Sequence, residues 1–211
     1  MLDIIKPLNE LSKTRKIFHS EADFQFALAW EIHKMYPSAK VRMEYCPAEI
    51  DASIHIDILV VIDGNWYPIE LKYKSLKCDK VFNDEKFMLK NHGAQDLGRY
   101  DYIKDVSRIE RLSKGLSNFK KGFAVLLTND PSYWNNTDSS KTVYFDFRLS
   151  ERLIESGILK WAVHAGKGTT KGREKPIALE GEYQIQWEQF SKLDSDRSGT
   201  FKYLVITKEI N

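Results

Sequence analysis

Two apolar runs, residues 53–62 and 66–73, are joined by Asp63-Gly64-Asn65, and no other segment constrains this chain as tightly. An Asp-Gly pair between β-branched stretches is the strongest short-range signal for a β-hairpin. Polar residues interrupt both runs: Asp57 in the first, Glu70 and Lys72 in the second. With Asp63-Gly64 as a two-residue loop, Ile62 pairs with Asn65 and Asp57 falls opposite Glu70. With Gly64-Asn65 as the loop, Asp57 falls opposite Lys72. Both registers place the three polar side chains on one face, because strand side chains alternate with period two. A three-residue loop without a compensating bulge would set Asp57 against Leu71 and send the acids to opposite faces.

Two carboxylates facing each other across a strand pair repel. A divalent cation between them offsets that repulsion, and hard oxygen ligands suit Mg²⁺, with Mn²⁺ as a substitute. Lys72 leans toward the same spot, where an ammonium could stabilise charge developing at phosphorus or help orient and deprotonate a metal-bound water. The plain alternative is a half-exposed hairpin with charges on its solvent face. Against it stand the flanking Ile, Val, Leu and Tyr residues, which read as buried sheet, where acids without partners are rare.

An acid late in one strand followed by Glu-x-Lys on the next resembles the PD-(D/E)xK, or restriction-endonuclease-like, nuclease superfamily. Asp57 matches the acid, with Ile56 where the motif's name has proline, and Glu70 and Lys72 match the second element. The resemblance covers roughly residues 20–130. The group's usual order includes an early helix carrying a glutamate, and Ser20 to Tyr36 reads as that helix. Phe24, Ala27, Leu28, Ile32 and Met35 recur at helical spacing, with Ser20 as N-cap and Asp23 in the capping-box position. Helix-dipole complementation is reason enough for Glu21 by itself; the resemblance gives it a supporting role at the site.

A second helix, from near Gly93 to about Leu116, carries the stripe Leu97, Tyr100, Ile103, Val106, Ile109, Leu112 and Leu116. Gln95 and Arg99 lie one turn apart near its start. The resemblance assigns Gln95 to the scissile phosphate or its water, while Asp96, Asp101 and Glu110 offer Arg99 ordinary surface pairing. The expected fold is α/β: an α-β-β-β-α-β core with a mixed sheet, elaborated by C-terminal β structure. The function it implies is a DNA endonuclease. Asp57 and Glu70 would hold Mg²⁺, with the Leu71 carbonyl as a further ligand, and Lys72, Glu21 and Gln95 would serve the chemistry. The rival is an inactive nuclease-like module that binds nucleic acid or a protein.

The whole chain sets the bounds. Its 211 residues suit one domain, core about 20–130 and elaboration about 131–211. Cys46 and Cys78 make no disulfide framework, and neither a membrane-length apolar run nor a signal-peptide pattern occurs, so a reduced, cytoplasmic protein without a membrane partner is expected. With 32 basic and 30 acidic residues the net charge is +2, so any nucleic-acid surface depends on clustering. Lys72, Lys74, Lys77 and Lys80 form one cluster; Lys167, Lys171, Arg173 and Lys175 form another. Cutting both strands of a duplex would fit a homodimer.

Further along, Val41 to Tyr45 reads as a strand, residues 74–92 as a mobile loop near the site, and Gly122 to Thr128 as a buried parallel strand after a helical crossover. Ser150 to Leu159 reads as a short helix, and Tyr183 to Trp187 and Phe201 to Ile206 as strands. Asp194 to Gly199 opens like a calcium loop, but Val205 stands where the bidentate glutamate belongs, so it is a turn. His55 is expected to be packed or hydrogen-bonded on the Asp57 face, and Arg42 and Glu44 to pair across the sheet.

Overall fold

The computed structural model describes residues 1–136, 140–151 and 154–210. Asp63 and Gly64 both take left-handed backbone, φ 50° and 78°, as a type I′ turn requires, and Ile62 pairs with Asn65. This selects the first of the three registers. The hairpin it closes consists of β2 (Ile56–Ile62) and β3 (Asn65–Lys74).

Before the hairpin come α1 (Ile5–Thr14), α2 (Glu21–Met35) and β1 (Lys40–Tyr45). The Ser20 hydroxyl caps α2 by accepting from the Asp23 N–H at 3.1 Å. After the hairpin come β4 (Cys78–Phe82), β5 (Glu85–Leu89), α3 (Gln95–Gly115) and β6 (Lys121–Thr128). The last third holds β7 (Ile154–Leu159), α4 (Lys167–Thr170), β8 (Ile177–Gln184), β9 (Trp187–Lys192) and β10 (Thr200–Glu209).

The fold is mixed α/β around a six-stranded mixed sheet ordered β1-β2-β3-β6-β10-β9. β1, β2 and β3 form an antiparallel meander, and α3 carries the chain across so that β6 runs parallel to β3. α1 and α2 cover one face, packing Phe24, Leu28 and Ile32 against Ile58, Val60, Ile69 and Leu71. Burying each such apolar side chain stabilises by about 1.5–3 kcal/mol. α3 covers the other face, with Tyr102, Ile103 and Val106 against Ala124, Leu126 and Leu204. The β7–β8 ribbon lies over α3 from outside, so this helix is enclosed on two sides. No helix among the described residues is long and apolar enough to cross a membrane.

Several elements differ from the sequence reading. Residues 74–92 include the β4–β5 hairpin, turned by Asn83 and Asp84 at φ 51° and 63°. It is packed down: Phe87 is buried and stacks on His19 at 4.4 Å, and Lys80 pairs with Asp194 at 2.6 Å and with Asp196. The helix expected at Ser150 to Leu159 is absent where described. Residues 152–153 lie outside the described residues, and Ile154–Leu159 is strand. Tyr183 to Trp187 is two strands, because the chain leaves the ribbon at Gln184 and enters the sheet at Trp187. Both aromatic residues bury in the same core, which preserves the alternation across the break. The C-terminal part completes the central sheet, since β10 pairs directly with β6.

Candidate metal and phosphodiester site

The site begins where the hairpin opens. β2 and β3 pair as far as Ile58 with Ile69; β3 then continues to Lys74 paired to β6 alone. Its other edge is taken by two carboxylates. The Leu71 N–H donates to Asp57 Oδ2 at 2.5 Å, and the Tyr73 N–H donates to Glu21 Oε2 at 2.6 Å. Side-chain oxygens thus stand in for a missing strand and satisfy backbone donors that burial would otherwise leave unpaired. Alternation sends Ile69, Leu71 and Tyr73 into the α1–α2 core and turns Glu70 and Lys72 toward α3.

β1 is irregular at the same level. Glu44 sits at φ 51°, where L-residues are uncommon, and the β1–β2 pairing skips it between Met43 and Tyr45. Gln25 of α2 braces the spot, donating to the Asp57 carbonyl at 2.7 Å and to Glu44 Oε1 at 2.8 Å. Glu44 therefore pairs with Gln25, not Arg42. His55 is exposed and lies outside β2.

α3 adds two charged residues. Arg108 Nη1 donates to Glu70 Oε2 at 2.6 Å and lies 3.6 Å from Asp105 Oδ1. Lys72 Nζ is 2.8 Å from Asp105 Oδ2 and donates to the Leu71 carbonyl at 3.0 Å. Glu70 is only 1% exposed, and its Oε1 has no hydrogen-bond partner among the described residues. Three carboxylates, on Asp57, Glu70 and Asp105, thus face two cations.

The titration of these groups reflects that imbalance. Burial pushes Asp57 up to about 6, with repulsion from Asp105 and Glu21 adding to it and the Leu71 N–H and Lys72 opposing it. Burial, then repulsion from Asp105, holds Glu70 well above the usual carboxylate range despite Arg108. Burial disfavours the charge on Lys72, but attraction to Asp105 outweighs it and raises the ammonium's pKa.

Among the described residues no group of three His, Cys, Asp or Glu side chains could hold a metal ion. The fork nevertheless fits a hard divalent cation bound by two carboxylates. Glu70 Oε1 is a buried carboxyl oxygen without a donor, carboxyl groups outnumber cations around it, and Mg²⁺ usually keeps several waters. The Leu71 carbonyl, expected as a third ligand, accepts from Lys72 on one of its two lone pairs.

Asp57, Glu70, Lys72 and Glu21 therefore meet at the fork. Gln95 takes another partner, since its Nε2 donates to Asp130 Oδ2 at 2.9 Å. Arg99 is buried, not surface-paired. Its guanidinium lies 4.8 Å and 4.7 Å from the Tyr133 and Tyr144 ring centres and donates to the Gln95 and Ser132 carbonyls. Sequence reasoning missed Asp105, Arg108 and Gln25. A signal for Asp105 existed: Tyr102, Asp105, Ile109 and Leu112 share helical spacing, so an acid sits within a buried stripe. Compared with known proteins, the chain matches no family model, no curated protein and no solved structure.

Proposed function

We propose that this protein is a metal-dependent nuclease of the PD-(D/E)xK kind that hydrolyses DNA phosphodiesters internally, with Mg²⁺ or Mn²⁺ held by Asp57 and Glu70. The observation that carries the reading is Glu70 Oε1, a buried carboxylate oxygen without a donor, in a fork where carboxylates outnumber cations. The order α2, β1-β2-β3, α3, β6 supports a restriction-endonuclease-like topology.

A bound cation would supply an acidified water and shield the phosphate. Lys72, kept protonated by Asp105, acts as a fixed positive charge for the phosphoryl oxygens and not as a base. Glu21 and Gln25 are positioning residues: one fixes the β3 edge through Tyr73, the other fixes the Asp57 backbone. Asp105 and Arg108 hold Lys72 and Glu70 in place. Gln95 is tied to Asp130.

The pairs Lys72–Asp105 and Glu70–Arg108 also favour a second reading. They let the fork stand without any metal, as an inactive nuclease-like module that binds nucleic acid or a protein would need. The test is supercoiled plasmid incubated with and without Mg²⁺ or Mn²⁺. Wild type is expected to nick or linearise it only with metal, and Asp57→Asn and Glu70→Gln to be slowed at least ~100-fold. Metal-dependent cleavage undiminished in both variants overturns the nuclease reading. No cleavage by wild type, with no calorimetric heat on adding Mn²⁺, selects the inactive module.

A further inference from the structure

A cleft of about 610 Å³ runs along the outer side of α3, between Lys104, Arg108 and Arg111 and the segment 172–178 that leads into β8. Five cationic residues line it against two acidic ones, Asp51 and Glu174. The far wall is anchored. The Tyr100 hydroxyl donates to the Lys175 carbonyl at 3.0 Å, Trp161 Nε1 donates to the Arg173 carbonyl at 2.7 Å, and Arg173 grips Asp101 through two bonds of 2.7 and 2.8 Å. Lys104 and Lys175 are exposed and make no ion pair among the described residues, so their charge is available to a ligand. Arg108 lines this cleft and also holds Glu70, so the cleft adjoins the candidate site.

The cleft has neighbours. Arg173 is shared with a hollow of about 200 Å³ that also contains Lys74. Lys74 is shared in turn with a cleft of about 340 Å³ that includes Glu21, Tyr73, Lys90 and His92. The second cleft thus reaches the fork from the α2 side, through the Glu21–Tyr73 bond.

We infer that these three clefts form one track for the phosphate backbone of a polynucleotide strand, which crosses the fork and is held on both sides of it. The choice of ligand rests on the nuclease reading; the track itself rests on where the cations lie. A ligand held on both sides of the reacting bond is a polymer cut internally, not a mononucleotide or a chain end. Phosphate contacts of this kind are independent of base sequence, and each contributes about 0.9 to the salt slope of binding to duplex DNA.

The experiment measures binding in EDTA, so that chemistry plays no part, using a fluorescein-labelled DNA duplex and its single strand over a series of salt concentrations. Two paired charge reversals test the two arms, Lys104→Glu with Lys175→Glu and Lys74→Glu with Lys90→Glu. A third pair, Lys40→Glu with Lys192→Glu on the outer sheet strands, controls for net charge. Each track pair is expected to weaken binding roughly tenfold or more and to lower the salt slope by about two, while the control stays within about twofold of wild type. Wild-type affinity in either track pair, equal losses in all three pairs, or no DNA binding by wild type overturns the track. Lysine-dependent binding without plasmid cleavage removes the nuclease reading and keeps the track. Metal-dependent cleavage lost in Asp57→Asn, with binding unaffected in both track pairs, removes the track and keeps the nuclease.

Discussion

Two buried glutamates on either side of α3 make opposite use of burial. Glu110 faces the outer ribbon, where its carboxylate accepts from the Glu180 N–H at 3.0 Å, the Gly181 N–H at 2.7 Å and the Tyr183 hydroxyl at 2.7 Å. The chain itself supplies every donor this acid needs, and the acid locks β8 onto the helix. Glu70 reaches from the sheet to the inner side of α3, with one arginine on one oxygen and nothing on the other. A buried polar group is stable when its partners come with the fold and costly when they do not. Glu110 is finished by folding, whereas Glu70 is completed from outside.

The largest expected stability effect falls on the finished acid. Glu110→Ala removes the acceptor from the buried Tyr183 hydroxyl and from two part-buried amides, and should cost about 3 kcal/mol, read as a melting temperature lower by roughly 6–12 °C. A loss below about 1 kcal/mol would erase the distinction between the two acids. A saturating divalent ion sharpens the contrast: Mn²⁺ at about one hundred times its Kd should stabilise wild type and Glu110→Ala by about 2.7 kcal/mol. Glu70→Gln should show no such shift, while in the absence of metal its stability stays within about 1 kcal/mol of wild type, because the amide oxygen can still accept from Arg108, which keeps Asp105 beside it. An equal Mn²⁺ shift in Glu70→Gln would take the metal away from the fork.

The smallest effect is a pH dependence in the metal-free protein. Asp57 is raised in the folded state from 3.8 to about 6, so between those values the folded form binds the extra proton. Its contribution is greatest below about pH 4, is lost as pH rises toward about 6, and is flat above. Subtracting the stability curve of Asp57→Asn from that of wild type isolates it. A difference that stays flat across this window would mean that Asp57 is ionised throughout in the folded protein.

Most of the sheet's central framework was legible because local rules and burial agree there. Asp63-Gly64 marked the hairpin and offered the register it takes, α2 carried its cap and stripe, and Gly122 to Thr128 read as the parallel strand it is. The β4–β5 hairpin escaped notice because its five-residue strands bury little beyond Cys78, Phe87 and Leu89, and its turn, Asn83-Asp84, lacks glycine. At the site, the strand residues were legible and the helix residues were not. Asp57, Glu70 and Lys72 interrupt apolar runs, so charge stands out against them. Asp105 and Arg108 lie on a helix rich in charge, where only enclosure by the ribbon makes two of many polar residues special. Arg99 was misplaced for the same reason, since α3 is far more deeply enclosed than its polar composition suggests.

The carboxylates along the open half of β3 have a colloidal consequence as well. An unpaired row of amide hydrogens is what lets an extended segment of another molecule add to a sheet. Asp57 and Glu21 plug that row at Leu71 and Tyr73. Truncation to alanine at either position would leave the adhesive donors bare and invite self-association, whereas asparagine or glutamine keeps a carbonyl plug in place.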